Sequence, residues 1–261
     1  MSSFAPRLVA FDLDDTLAPS KSAIDPRIGA LLLELAARVE IAIISGGQLE
    51  QFTAQVVDRL PNASAEALAH FHLLPACGTQ YYRIRPDGTE TIYALSLDAG
   101  RRAEVIVIVE DEARRLGLWE SDTWGDIIED RGSQVTFSAL GQQAPVEAKS
   151  AWDPTGDKKN RLRAAIAARL PDLEVRSGGS TSVDITERGI DKAYGMNRLV
   201  EQTGIPLDDM LFVGDRLDPD GNDYPVLAMG VTCHAVTGWG DTARYLEGLI
   251  PTLHVRDNLL L

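Results

Sequence analysis

The sequence predicts an α/β protein, in which a doubly wound parallel sheet carries an inserted α+β domain. Short apolar runs alternate with amphipathic helical patterns near the start of the chain and again after residue 190. Several of these runs end in acidic or small polar residues. The segment between them has the shorter alternation that is typical of hairpins and antiparallel strands.

The first part of the chain has the pattern of a βαβ unit. Arg7 to Leu13 is a short apolar run that ends at acidic residues, and Glu40 to Ser45 is a second run with a glycine pair behind it. Between them, Pro26 to Val39 carries isoleucine and leucine at helical spacing, with Asp25 as the cap and Pro26 in the first turn. We expect two buried parallel strands joined by a helix.

The same alternation resumes near residue 190. We expect a helix at Lys192 to Gln202 and an apolar strand at Met210 to Val213. A short helix at Asp223 to Ala228 and another strand at Val231 to Val236 should follow. In open parallel sheets, ligands bind beyond the carboxyl ends of the strands. Asp12, Ser45 and Asp215 should therefore converge at one edge of the sheet.

The middle of the chain differs. We expect a hairpin at Gln80 to Tyr93, a helix at Ala99 to Leu116 and strands at Ile127 to Leu140. A second helix is expected at Asp157 to Leu170, and two strands broken at a glycine pair are expected at Leu173 to Ile185. This predicts an α+β insert at residues 86–187, between the two halves of an α/β core at residues 1–85 and 188–261.

Composition excludes several classes of function. The chain has 261 residues and a formal net charge of −14, without a Lys/Arg run, so we expect no nucleic-acid partner. No apolar run approaches the roughly 20 residues that span a bilayer, which argues against a membrane partner. Cys77 and Cys233 lack the spacing of zinc or disulfide frameworks, and a cytoplasmic location is the default expectation. An anionic substrate stays compatible, because a bound cation can make a cleft positive.

Asp12-Leu13-Asp14-Asp15-Thr16 directly follows the first apolar run. Carboxylates at i and i+2 lie on the same side of a strand. In a phosphoryl-transfer site, Asp12 attacks phosphorus, while Asp14 protonates the leaving oxygen and later activates water. The alternative is an acidic loop that binds a cation or forms a turn.

Two further positions suit a phosphate. Ser45-Gly46-Gly47 ends a strand, and its hydroxyl and backbone N–H groups can cradle a phosphoryl oxygen, although the same residues also form ordinary turns. Lys192 opens a predicted helix, where its ammonium would neutralise the phosphate and the attacking carboxylate; a surface lysine is the alternative.

Val213-Gly214-Asp215 closes another apolar strand and is followed by Asn222 and Asp223. Such hard oxygen ligands suit Mg²⁺, which binds one or two carboxylates together with phosphate oxygens and water. The spacing is not that of an EF-hand calcium loop. The sequence therefore predicts a magnesium site that uses Asp215.

These four motifs, in this order, resemble the haloacid dehalogenase superfamily over nearly the full length. The insert resembles the type IIB cap of that superfamily, and the most similar family is the eukaryotic-type α-phosphomannomutases. The segments that carry this second resemblance are Ala76 to Tyr81, Ile128 to Arg131, Asp157 to Lys159, Gly178 to Asp184 and Gly221 to Asp223.

The resemblance implies a role for each matched residue. The catalytic set is Asp12, Asp14, Ser45 and Lys192. Mg²⁺ is expected at Asp12, at the backbone carbonyl of Asp14 and at Asp215, with Asn222 and Asp223 as further candidates. Substrate, a small phosphorylated metabolite such as a sugar phosphate, is expected at Ser45, Gly46, Gly47, Arg131, Ser182 and Asp184. A homodimer through the cap, with Ala99 to Leu116 at the interface, is also expected.

The departures from the family pattern bear on the reaction. Trp124 and Gln142 stand where the mutases have cap arginines for the phosphate that is not transferred, and Asp15 replaces a glycine. A mutase must hold a bisphosphate intermediate in two orientations, and fewer cap cations impair that task. We therefore expect a phosphatase first and a phosphomannomutase second. A non-catalytic phosphometabolite-binding protein is the third alternative, although a binder would not need both Asp12 and Asp14.

Overall fold

A computed structural model describes residues 4–60 and 62–255. They form two compact units, one of residues up to Ala94 together with those from Asp191, and one of Leu95–Ile190. The strands of the described residues are β1 (Leu8–Phe11), β2 (Glu40–Ile44), β3 (Phe71–Leu74), β4 (Gln80–Arg85), β5 (Gly88–Ala94), β6 (Ile128–Asp130), β7 (Gln134–Ser138), β8 (Leu173–Ser177), β9 (Ser182–Glu187), β10 (Met210–Gly214) and β11 (Thr232–Ala235). Their α-helices are α1 (Pro26–Ala36), α2 (Leu49–Gln55), α3 (Ala65–Leu68), α4 (Ala99–Arg115), α5 (Val146–Trp152), α6 (Asp157–Arg169), α7 (Lys192–Thr203), α8 (Tyr224–Ala228) and α9 (Trp239–Leu249).

The first unit is built on a seven-stranded sheet in the order β11-β10-β1-β2-β3-β4-β5. The five strands from β11 to β3 are parallel, and β4 and β5 continue the sheet in antiparallel orientation. Side chains of β1 alternate between two apolar clusters: Val9 and Phe11 join one, and Leu8 and Ala10 join the other. Both faces of the central strands β1 and β10 are covered, and these two strands are apolar throughout.

Helix α1 forms where the sequence predicts it. The Asp25 side chain accepts a hydrogen bond from the backbone N–H of Arg27, and Pro26 occupies the first turn, where it costs no hydrogen bond. Ile28 and Leu32 are fully buried on one side of this helix. The helix connects β1 to β2, so the predicted βαβ unit is present.

The second unit contains an antiparallel sheet in the order β6-β7-β9-β8. Val135 and Phe137 of β7 point into an apolar cluster that also contains residues of α4 and α6. Gln134 and Thr136 alternate with them and lie on the opposite face of the strand. One face of this sheet is therefore apolar and the other is polar.

The predicted fold class, a doubly wound α/β sheet with an inserted α+β portion, is confirmed. The first boundary between the two parts differs from the sequence-based one at residues 85 and 86. Strand β5 pairs with β4 from Gly88 to Ala94, so the hairpin extends the large sheet, and the second unit begins only at Leu95. Among the described residues, no helix is both long and apolar enough to cross a bilayer.

Candidate active site

Asp12 follows β1 at the carboxyl edge of the large sheet. Its backbone N–H donates to the carbonyl of Val213 at 3.0 Å, which ties the residue to the end of β10. Its Oδ1 accepts the backbone N–H of Leu13 at 2.7 Å and lies 2.7 Å from Nζ of Lys192. Both partners are on Oδ1, and Oδ2 accepts no hydrogen bond from the described residues.

Lys192 is the first residue of α7, and the side chain of the preceding Asp191 accepts the backbone N–H of Tyr194 at 3.0 Å. This cap fixes the start of the helix. The ammonium of Lys192 is buried and also lies 2.5 Å from Oδ1 of Asp223. Burial alone would lower the pKa of Lys192, but the charges of Asp12 and Asp223 outweigh it and raise that pKa, so the ammonium stays protonated.

Asp12, Asp215 and Asp223 each offer one carboxylate oxygen, and these three oxygens lie within 4.8 Å of one another. Burial raises the pKa of Asp12, Lys192 opposes that rise, and Asp223 adds to it. The pKa of Asp215 is raised by burial and then by Asp223. Three carboxylates thus share one ammonium, and the remaining negative charge together with the all-oxygen donor set fits a divalent cation.

Asp14 lies outside that group of three. Its Oδ1 accepts the backbone N–H of Lys21 at 2.8 Å, its Oδ2 is 3.1 Å from Nζ of Lys21, and Nε2 of Gln51 donates to it at 3.2 Å. Burial alone would raise the pKa of Asp14, but the charge and N–H groups of Lys21, aided by Gln51, lower it. The Asp14 side chain is therefore an ionised, paired carboxylate.

The Ser45-Gly46-Gly47 segment follows β2, next to β1 in the sheet. Ser45 is buried, and its Oγ accepts the backbone N–H of Gly47 at 3.2 Å, so that N–H has a partner within the loop. A Cβ on Gly47 would lie 2.2 Å from Oε1 of Gln51, so glycine permits Gln51 to approach here.

Asn222, which the sequence analysis also offered as a ligand of the metal, lies apart from the three grouped carboxylates. Asn222 is exposed, and among the described residues it shows no hydrogen bond to the three carboxylates. Asp223, beside it in sequence, is fully buried, and its Oδ2 accepts the backbone N–H of Arg216 at 3.0 Å. The loop after β10 therefore turns Asp223 inward and Asn222 outward.

In the second unit, Ser182 and Asp184 lie two residues apart on β9, on the polar face of the sheet. Asp184 is opposite Thr136 of β7 in the antiparallel register. The Arg131 guanidinium contacts Glu129, with Nε at 3.0 Å and a terminal nitrogen at 2.6 Å from the same carboxylate oxygen.

Three residues near the predicted catalytic groups were missed from the sequence. Lys21 and Gln51 bind Asp14, and the hydroxyl of Thr16 donates to Asp215 at 3.3 Å. Thr16 lies inside the first motif and could have been suspected there. Lys21 lies in a loop and Gln51 lies in α2. Both reach Asp14 only through the tertiary fold, so no spacing in the sequence indicates these contacts.

Comparison with solved structures agrees with this fold. The chain matches a haloacid dehalogenase-like hydrolase from Bacteroides thetaiotaomicron with a TM-score of 0.63 and 16% identity, over 94% of this chain and 99% of the other. It matches an IMP-nucleotidase from Plasmodium falciparum with a TM-score of 0.70 and 16% identity, over 94% of this chain and 70% of the other. At this identity the matches show the fold alone, which is that of haloacid dehalogenase-like proteins, and the grouped carboxylates and buried lysine lie at the carboxyl edge of its parallel strands.

Sequence comparison gives the family. The model of eukaryotic phosphomannomutases matches residues 28–252, and the chain belongs to that family. A probable phosphomannomutase of Caenorhabditis elegans is 26% identical over 94% of this chain and 96% of its own length. Phosphomannomutase 1 of Homo sapiens is 27% identical over 91% of this chain and 89% of its own length. The non-catalytic alternative is thereby set aside.

Proposed function

We propose that this chain is a Mg²⁺-dependent phosphatase that hydrolyses a small sugar phosphate through an aspartyl-phosphate on Asp12. The observation that carries the proposal is the asymmetry of the Asp12 carboxylate: Lys192 and the Leu13 N–H both bind Oδ1, which leaves Oδ2 to attack. Residues 1–94 and 191–261 supply this chemistry, and residues 95–190 recognise the substrate.

In the first step, Oδ2 of Asp12 forms a bond to phosphorus as the bond from phosphorus to the ester oxygen breaks, and Asp14 gives that oxygen a proton. In the second step, water attacks phosphorus, Asp14 takes its proton, and inorganic phosphate leaves with regeneration of Asp12. Bound Mg²⁺ would supply charge neutralisation at the phosphoryl oxygens.

The contacts of Asp14 suit this cycle. An ionised Asp14, paired with Lys21, is the form needed as a base in the second step. The acid role in the first step requires a protonated Asp14, so Lys21 must first release the carboxylate, and the anionic phosphoryl group is a competing partner for that ammonium. Asp14 takes its proton from solvent before the first turnover, and the proton that it takes from the attacking water in one turnover is the one that it gives to the leaving oxygen in the next.

A phosphomannomutase is the second candidate, because the family and the named relatives are phosphomannomutases. It would use the same covalent step but return the phosphoryl group to a sugar. Hydrolysis is favoured because Glu129 already pairs with the Arg131 guanidinium and because Trp124 and Gln142 are uncharged. These features reduce the positive charge available for a second phosphate.

The test is a phosphate-release assay with Mg²⁺ on mannose and glucose 1- and 6-phosphates. We expect release by the wild type and a loss of at least about 10³-fold in Asp12→Asn, because the nucleophile is removed. Asp87→Asn, at the exposed turn between β4 and β5, is the matched control and should keep full activity. Interconversion of 1- and 6-phosphates on addition of a hexose bisphosphate, without phosphate release, would replace hydrolysis with the mutase reaction.

A further inference from the structure

A buried threonine of α9 makes its shorter hydrogen bond outside its own helix. Thr242 lies in the first turn of α9 and is fully buried. A threonine hydroxyl in a helix commonly bonds to the carbonyl four residues earlier. Here that contact, to the carbonyl of Gly238, is 3.5 Å long, whereas the same hydroxyl donates to the carbonyl of Thr16 at 2.6 Å. The shorter bond joins α9 to the loop that follows β1.

Thr16 continues this connection to a carboxylate of the candidate metal site. It is fully buried, and a buried backbone carbonyl is rarely left without a partner. The hydroxyl of Thr242 is the partner of the Thr16 carbonyl, and the hydroxyl of Thr16 donates in turn to Oδ1 of Asp215 at 3.3 Å. Two hydroxyl groups therefore link α9 to the carboxyl end of β10.

Asp215 depends on this link more than the other two carboxylates of the site do. Asp12 and Asp223 are each held by the ammonium of Lys192 and by a backbone N–H group. Among the side chains that the structure describes, only the neutral hydroxyl of Thr16 donates a hydrogen bond to Asp215. The orientation of the Asp215 carboxylate is therefore set by the position in which Thr16 is held.

We propose that Thr242 is a positioning residue for the divalent cation: through Thr16 it fixes the orientation of Asp215 and raises the affinity of the site for Mg²⁺. This inference rests on the Mg²⁺ site of the proposed function. Groups that hydrogen-bond to a ligating side chain orient it and strengthen metal binding. A carboxylate that is already oriented also loses less side-chain entropy when the ion binds.

The test is calorimetric titration of full-length variants with Mg²⁺ at an ionic strength matched with NaCl. Thr242→Val keeps the shape of the side chain and removes its hydroxyl, and we expect its Kd for Mg²⁺ to rise about three- to tenfold, the scale of one hydrogen bond. Thr242→Ser retains the hydroxyl and should bind as the wild type does. Thr53→Val is the matched control, because the Thr53 hydroxyl donates to the carbonyl of Leu49 within its own helix, and its Kd should stay unchanged.

A double variant distinguishes a link through Thr16 from an effect on stability alone. Thr16→Val removes the hydroxyl that contacts Asp215, and its Kd for Mg²⁺ should rise on the order of tenfold or more. If the two hydroxyl groups act in series, adding Thr242→Val to Thr16→Val should raise Kd by less than Thr242→Val does alone. An unchanged Kd in Thr242→Val, with thermal stability alone reduced, would overturn the inference, and so would full multiplication of the two effects in the double variant.

Thermal unfolding checks that Thr242→Val is folded; if it is not, Thr242→Ala is titrated in its place, and a Kd equal to that of the wild type overturns the inference. If the wild type binds Mg²⁺ but releases no phosphate from the sugar phosphates, the proposed hydrolysis fails while the same Kd values still decide the inference. If the wild type binds no Mg²⁺, the metal dependence of the proposed function fails and the inference fails with it.

Discussion

Lys192 places its ammonium between Asp12 and Asp223 in the interior of the first unit. All three side chains are almost fully buried. Charges removed from water lose their hydration, and they are tolerated when paired at short distance. We therefore expect the lysine to have two tasks: it stabilises the buried carboxylates, and in the proposed mechanism it directs Asp12 by occupying one of its oxygens.

The first task predicts a large loss of stability in Lys192→Met. Removing the ammonium leaves Asp12 and Asp223 buried without their cation, and breaking a buried pair in this way costs about 3–5 kcal/mol. Urea unfolding in the absence of Mg²⁺ measures the difference.

The double variant Lys192→Met with Asp223→Asn provides the control. It removes one of the two carboxylate charges that Lys192→Met leaves without a cation. The double variant should therefore lose less free energy of unfolding than the two single variants lose when their losses are added. Strict additivity of the two changes would show that Lys192 and Asp223 do not depend on each other.

Among the elements, the strongly patterned ones could be predicted from the sequence. Helix α1, with Asp25 and Pro26 at its start, and the strand before Asp12 were identified within a few residues, because burial and capping are local signals. The edge of the sheet was harder. The β4–β5 hairpin was recognised from Asp87-Gly88, but its pairing with β3 is a tertiary property, and the predicted boundary at residues 85 and 86 lies inside this hairpin.

The contacts of the candidate site could also be predicted from the sequence only in part. Asp12 and Lys192 could be predicted to meet, because parallel strands end at one edge and α7 begins beside it. The pair formed by Asp14 and Lys21 could not be predicted. Lys21 lies in a loop with its own φ at 60°, and no periodic pattern in the sequence indicates that it reaches Asp14. The hydrogen bond of Gln134 with Asp184 spans two strands, and its geometry depends on their register.

Strands β2, β3 and β4 share a buried network that predicts a pH effect on stability. His72 of β3 has Nε2 3.0 Å from Glu40 and Nδ1 2.6 Å from the Tyr81 hydroxyl, and Arg83 faces the same ring. Burial lowers the pKa of His72, and Glu40 only partly opposes this. The unfolded chain therefore binds a proton at a higher pH than the folded chain does.

The pKa of His72 is lower in the folded chain than in the unfolded chain. The contribution of neutral His72 to the free energy of unfolding is therefore complete above about pH 6.5 and is lost as the pH falls below that value. We expect the free energy of unfolding to fall between pH 7.5 and 5.5, with at most about 1.4 kcal/mol per pH unit from this residue. His72→Gln should show a shallower slope in urea unfolding, and a variant of the exposed His254 is the matched control. An unchanged slope in His72→Gln would assign the effect to other groups.

The whole molecule is acidic, with a formal net charge of −14. Excess charge of one sign opposes compaction, and any salt screens part of that repulsion. A stabilising effect of Mg²⁺ therefore has two possible sources, general screening and specific binding at Asp12, Asp215 and Asp223. Matched ionic strength in NaCl removes the first source.

Under that condition we expect Mg²⁺ to raise the melting temperature of the wild type, since a ligand bound only to the folded state adds about 2.7 kcal/mol at one hundred times its Kd. Asp215→Asn keeps an oxygen for the Thr16 hydroxyl but loses the charge. Because burial and Asp223 already raise the pKa of Asp215, this variant should match or exceed the wild type in stability without Mg²⁺ and gain little when Mg²⁺ is added. Asp87→Asn, at an exposed turn, should respond to Mg²⁺ as the wild type does, and an equal response of Asp215→Asn would show that the ion acts on the overall charge and not at these carboxylates.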